Sequence, residues 1–148
     1  MKTSAQSSQD RRHIILLVED NPADAGLVRE ALEEHQTEAE LMVLSDGESA
    51  INFIEHLDAS REACPDLIIV DLNLPKRSGR EVLAAIRQSE ECRDAQVVIL
   101  SSSDAEQDRN DASRLGASLY IRKPTRLAEF LDLGAVFKSM LRGLRSER

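Results

Sequence analysis

The chain has 148 residues, enough for one domain that hides roughly two thirds of its unfolded surface. A net charge of -8 and a pI near 4.9 exclude nucleic acid and anionic membrane as partners, since either needs clustered Lys and Arg, and leave a protein as the expected partner. No apolar run approaches the about 18 residues that cross a bilayer. Cys64 and Cys92 lack a CxxC spacing, so neither a zinc site nor a disulfide is expected, and the thiols are read as reduced in a cytoplasmic protein.

Residues 1–12 are Ser, Gln and charge without the apolar centre of a signal peptide, and are expected to form a disordered tail. One domain over 13–144 and a short tail over 145–148 follow. The first strand is read at Ile14 to Val18, followed past Pro22 by a helix at Asp24 to Glu34. Leu41 to Leu44 is the second strand, and Asp46-Gly47 opens a helix at Glu48 to Leu57, with the charged, aperiodic stretch Asp58 to Asp66 as its exit. Leu67 to Val70 is the third strand. Ser78-Gly79 starts the helix Gly79 to Gln88, Val97 to Leu100 is the fourth strand, and Ala105 to Leu115 is a helix with Gly116 at its end. Ser118 to Ile121 is the fifth strand, and past Pro124 a last helix runs from Leu127 to Leu144. Nearly unbroken apolar runs in the first, third and fourth strands belong to parallel strands covered on both faces. The strict alternation predicts a doubly wound, five-stranded parallel sheet with five helices, flavodoxin-like, with ligands at the carboxyl ends of its strands.

Glu19 and Asp20 close the first strand and Asp71 closes the third. The first pair alone reads equally well as a solvated turn; the third acid changes that. The two strands are neighbours in this fold, so Asp20 and Asp71 face one another across the crevice where strand order reverses. Carboxylates gathered there repel unless a divalent cation sits among them, and Mg2+, which keeps several waters, needs only these acids and one backbone carbonyl, that of Asn73. Ser101 ends the fourth strand and Lys123 follows the fifth, where a hydroxyl can donate to a phosphoryl oxygen and an ammonium can neutralise one.

These residues lie in segments that together resemble the receiver domain of two-component response regulators: ILLVEDNPADAGLVREAL, DLIIVDLNLPKRSGREVL, VVILSSSD and GASLYIRKP. The match spans about Ile14 to Leu141. The resemblance implies that Asp71 accepts a phosphoryl group from a sensor histidine kinase, and that Glu19 and Asp20 position Mg2+ with Asp71 and the Asn73 carbonyl. It further implies that Ser101 and Lys123 contact the phosphoryl group, that Tyr120 is an aromatic switch, and that Asn73 and Ser103 tune dephosphorylation. A cis Lys123-Pro124 peptide is expected to aim the lysine, and phosphorylation to alter the face made by the fourth helix, fifth strand and fifth helix. Ser102 departs from the small Ala or Gly usual in receivers. The EDNPADA opening, the LNLPK loop and the long second helix look like single-domain regulators paired with bacterial phytochromes, and onward transfer to a histidine phosphotransfer protein belongs to the same repertoire.

In the last helix Leu127, Phe130, Leu131, Phe137 and Leu141 make one apolar arc, and Leu133, Val136, Met140 and Leu144 widen it to about 200°. The second group is expected to form a contact surface for a homodimer or the kinase. Four other readings compete with this one. A phosphorylation-independent pseudo-receiver should lack one of Asp20, Asp71, Ser101 or Lys123, and this chain keeps all four. A flavodoxin-like electron carrier would need a Ser/Thr/Gly-rich phosphate loop where two acids stand. A haloacid-dehalogenase-type phosphatase would want an acid where Asn73 stands. A transcription factor is set aside because only about 25 residues follow Lys123, too few for a DNA-binding domain of ordinary size.

Overall fold

Aliphatic runs too short for helices pair as strands, and the amphipathic segments between them cover the result on both faces. The computed structural model describes residues 12–146, the side chains of 144–146 excepted. The order is β1 (His13–Val18), α1 (Pro22–Glu34), β2 (Ala39–Leu44), α2 (Gly47–Ser60), β3 (Leu67–Val70), α3 (Gly79–Gln88), β4 (Gln96–Ser101), α4 (Glu106–Arg114), β5 (Leu119–Arg122) and α5 (Leu127–Ser146). β3 and α3 coincide with their expected bounds, and the other elements differ by one to three residues at their ends. Most of the expected tail at 1–12, and the end of the one at 145–148, lie outside the described residues.

One parallel sheet has the strand order β2-β1-β3-β4-β5, so the chain winds one way from β1 to β2 and the other way from β3 onward. The register pairs Val18 with both Leu44 and Val70, Val70 with Ile99, and Ser101 with Arg122, aligning the carboxyl ends of all five strands. Alternation divides the core. Leu16, Val18, Ile68 and Val70 point to the layer of α2 and α3, with Ile54, Leu83 and Ile86. Ile15, Leu17, Ile69 and Val98 point to α1 and α5, with Val28, Phe130 and Phe137. Helix starts follow their capping residues: Asn21 accepts from the N–H groups of Ala23 and Asp24, Asp46 from Ser49, and Ser78 from Glu81.

α5 packs mainly on α1. Gly134 permits this, because a Cβ there would stand 2.2 Å from the carbonyl oxygen of Ala31. The close approach corrects the reading of the wide apolar arc. Leu133, expected on a free contact surface, lies in the core at 9% exposure. The arc is wide because one helix meets both the sheet and α1. Val136 and Met140 are half-buried, Met140 against the same core, and the Leu144 side chain lies outside the described residues.

The cysteines also require a correction. Cys64, in the loop before β3, is disulfide-bonded to Cys92, in the loop before β4, with their Cα atoms 5.3 Å apart. β3 and β4 are adjacent, so the loops entering them meet at the amino-terminal edge of the sheet. Asp58 holds the second loop in place by accepting from the Ser89 hydroxyl at 2.7 Å and the Glu91 N–H at 3.0 Å, while the Cys92 N–H donates to Ser89 Oγ.

Candidate functional site

The strand ladder continues one residue past β1 and β3, which fixes the acids that follow them. The Glu19 N–H donates to Leu44 O at 2.9 Å and the Asp71 N–H to Val18 O at 3.0 Å. Glu19 and Asp71 are therefore buried, 2% and 6% exposed, beside an exposed Asp20. One ligand atom from each of the three lies within 4.8 Å of the others. Gly79 lets α3 start tightly behind the loop that follows Asp71, since a Cβ there would stand 2.2 Å from Asp71 O. Asp71 Oδ1 accepts from the Asn73 N–H at 3.0 Å, bringing that backbone beside the acid.

Lys123 reaches the acids from the other side of the crevice. Its N–H donates to Ser101 O at 2.7 Å, extending the β4–β5 pairing. Its Nζ stands 2.9 Å from Glu19 Oε1, 2.8 Å from Asp24 Oδ2 and 3.0 Å from Asp71 Oδ2. Burial alone would lower the lysine pKa, but its bonds to Asp24, Glu19 and Asp71 outweigh that and raise it. Burial pushes Glu19 up to about 7, with the charge of Asp71 adding to the rise and Lys123 and the Asn21 N–H opposing it.

This donor set fits a hard divalent cation. Glu19 Oε1 is buried and faces the Lys123 ammonium at 2.9 Å as an ion pair without an aligned hydrogen bond, so its remaining lone pair has no protein donor. Hard oxygen ligands with more negative charge than one lysine offsets suit Mg2+ or its close analogues.

Ser101 is fully buried at the end of β4, and its Oγ accepts from the Ser103 N–H at 3.1 Å. The Tyr120 hydroxyl, half-buried on β5, donates to Ser103 O at 2.8 Å, and the Arg109 guanidinium sits 4.6 Å from its ring centre. The Ser103 hydroxyl donates to Asp108, which also receives Arg80 of α3. The loop after Ser101 is thus tied to both flanking helices. The expected cis Lys123-Pro124 bond is not found: no cis peptide occurs among the described residues. The lysine is aimed instead by the backbone bond to Ser101 and the carboxylates around its head, so the trans form, ordinarily favoured for X-Pro, suffices.

Glu19, Asp20, Asp71 and Lys123 converge as their strand-end positions predict, with Ser101 one strand away. Asp24, Asp108 and Arg109 went unread in the sequence. Asp24 looked like an ordinary first-turn acid. Nothing in its local sequence ties it to Lys123, 99 residues away.

Fold and crevice together define a class: a doubly wound α/β protein that gathers carboxylates, rather than glycine-rich backbone, at its switch point. Comparison with known proteins narrows the class to a family. The chain belongs to the response regulator receiver domains, whose family model matches residues 15–133. Response regulator Rcp1 of Synechocystis sp. is 38% identical over 121 residues, covering 81% of this chain and 82% of Rcp1. The probable methanogenesis regulatory protein FilR2 of Methanothrix harundinacea is 36% identical over 111 residues, or 75% of this chain and 72% of FilR2. Among solved structures, the Mn2+-bound form of Rcp1 aligns with TM-score 0.76 at 37% identity, covering 86% of this chain and 92% of that one. The phosphorylated cyanobacterial phytochrome response regulator RcpA aligns with TM-score 0.79 at 34% identity, covering 88% and 94%. The chain is a receiver-domain signalling protein similar to phytochrome response regulators.

Proposed function

We propose that Asp71 accepts a phosphoryl group from a phosphohistidine on a sensor histidine kinase. The supporting observation is the Lys123 ammonium, held between Glu19 and Asp71 at the carboxyl edge of the sheet. As the kinase phosphoryl group approaches in line, an Asp71 oxygen forms the new P–O bond while the P–N bond breaks and its electron pair stays on the histidine ring. No general base is needed, because a carboxylate nucleophile, unlike a hydroxyl, carries no proton to be removed. Glu19, Asp20, Asp71 and the Asn73 carbonyl would hold Mg2+, which when bound supplies neutralising charge for the transferred group.

The remaining groups respond to the added charge. A phosphorylated acid carries roughly two negative charges where one stood. Lys123 contacts a phosphoryl oxygen, and the Ser101 hydroxyl turns from its bond with the Ser103 N–H to donate to another. That turn loosens the loop whose Ser103 carbonyl receives the Tyr120 hydroxyl, so Tyr120 registers the change on the face of α4, β5 and α5. Asn73 and Ser103 flank the path of hydrolytic water and set the lifetime of the acyl phosphate. RcpA is a phytochrome response regulator, and a bacteriophytochrome in the cytoplasm is the kinase this reading favours; onward transfer to a histidine phosphotransfer protein is compatible with it.

Intact-mass spectrometry after incubation with acetyl phosphate and Mg2+ tests the proposal. One labile phosphoryl adduct is expected, absent with EDTA and in Asp71→Ala. No adduct, or an adduct that persists in the variant, rejects it.

A further inference from the structure

An ammonium has three N–H donors, and each of those on Lys123 has a carboxylate within reach. Two of those acids, Glu19 and Asp71, belong to the group suited to a divalent cation; Asp24 does not. It stands in the first turn of α1, where Asn21 caps the helix by accepting the N–H groups of Ala23 and Asp24. The Asp24 Oδ2 therefore remains available to Nζ, which it meets at 2.8 Å. The pair sits at the rim of the crevice, with the lysine side chain 11% and the Asp24 side chain 24% exposed.

We propose that Asp24 is a positioning residue, tethering the Lys123 ammonium to α1 so that it can exchange Asp71 for a phosphoryl oxygen without leaving the pocket. The inference rests on the reading of Asp71 as phosphoacceptor. Lysine is a compact charge on a flexible four-carbon stem, and its direction is set by its partners. When a cation and a phosphoryl group draw on Glu19 and Asp71, the bonds from those acids to Nζ weaken together. The bond to Asp24 comes from a different element and places no demand on either acid. It also pairs the Asp24 charge, which would otherwise face the incoming phosphate with like sign.

The tether is tested on the full chain in two ways. Phosphorylation by acetyl phosphate at saturating Mg2+ is followed by intact mass for the wild type, Asp24→Ala and Asp24→Glu. Ammonium 1H–15N spectra of the metal-free proteins report whether Lys123 is held. Asp24→Ala should phosphorylate about tenfold more slowly, the scale seen when a supporting contact to a reacting group is lost. It should also lose the slowly exchanging Lys123 ammonium signal, and Asp24→Glu should recover most of both. An unchanged rate, an unchanged ammonium signal, or a loss that glutamate does not recover overturns the inference. If the wild type takes up no phosphoryl group, the phosphoacceptor reading falls with it, and the ammonium signal alone decides whether the tether exists.

Discussion

Among the described residues, Lys123 carries the only positive charge within bonding distance of two buried acids and of a third at the pocket rim. Truncating it leaves Glu19 and Asp71 buried without that counterion, and breaking a buried pair typically costs about 3–5 kcal/mol. Glu19, already pushed up to about 7, takes up a proton readily and softens the penalty. Lys123→Ala should therefore lose about 3 kcal/mol in metal-free urea unfolding, and less with Mg2+, because an ion bound only by the folded state restores stability by mass action. A loss that Mg2+ leaves unchanged would mean that these acids do not hold the ion. The placement of the residues that meet in the crevice was legible because each ends, or directly follows, a strand, so position along the chain fixed position at the sheet edge. Asp24 was not, because its partner lies 99 residues away and its own surroundings explain it as a helix-start acid. The trans Lys123-Pro124 peptide escaped for a related reason: what aims the lysine is a set of tertiary bonds, which the local sequence does not encode.

At the level of elements, α1 and α5 illustrate how a backbone contact can mislead a reading by helical period. The apolar stripe of α5 was visible in the sequence, but its width was ambiguous between core and interface until Gly134 was seen against Ala31. Two of the three glycines of this helix pair, Gly134 and Gly26, should respond oppositely to alanine. At Gly134 the added methyl meets a carbonyl oxygen at 2.2 Å, and overpacking costs typically about 1–3 kcal/mol against about 1 kcal/mol of helix propensity gained. Because the clash is with backbone and not with a flexible side chain, the upper part of that range applies, and Gly134→Ala should lose about 1–2 kcal/mol net. Gly26, inside α1, has nothing within 4 Å of the position a methyl would take, so Gly26→Ala should gain about 0.5–1 kcal/mol. Urea midpoints of the two variants give the signs directly, and a stabilised Gly134→Ala would show that the helices separate without cost. The buried strands β1, β3 and β4, by contrast, were legible to within one residue at each end, since a strand covered on both faces reads as a nearly unbroken apolar run.

Across the whole molecule the two edges of the sheet have different tasks. The carboxyl edge gathers acids and lysine, while the amino edge is closed by the Cys64–Cys92 bond. The pairing was invisible in the sequence because 28 residues separate the cysteines and only the adjacency of β3 and β4 brings their loops together. Cross-linking a loop of that length restricts the unfolded chain by about 3–4 kcal/mol in the loop-entropy account. Asp58 of α2 and Ser89 anchor the second loop through bonds that do not involve sulfur, so reduction should lower stability without dismantling the sheet. Dithiothreitol, or Cys64→Ser at the more exposed partner, should lower Tm by about 6–16 °C, at about 2–4 °C per kcal/mol for a chain of this size. The rate of phosphorylation at the opposite edge should be unchanged, because no described contact of the disulfide reaches the acids. Equal melting temperatures for oxidised and reduced protein would show that the bond does not restrict the unfolded chain. A slowed reaction on reduction would show that the two edges are coupled through β3 and β4.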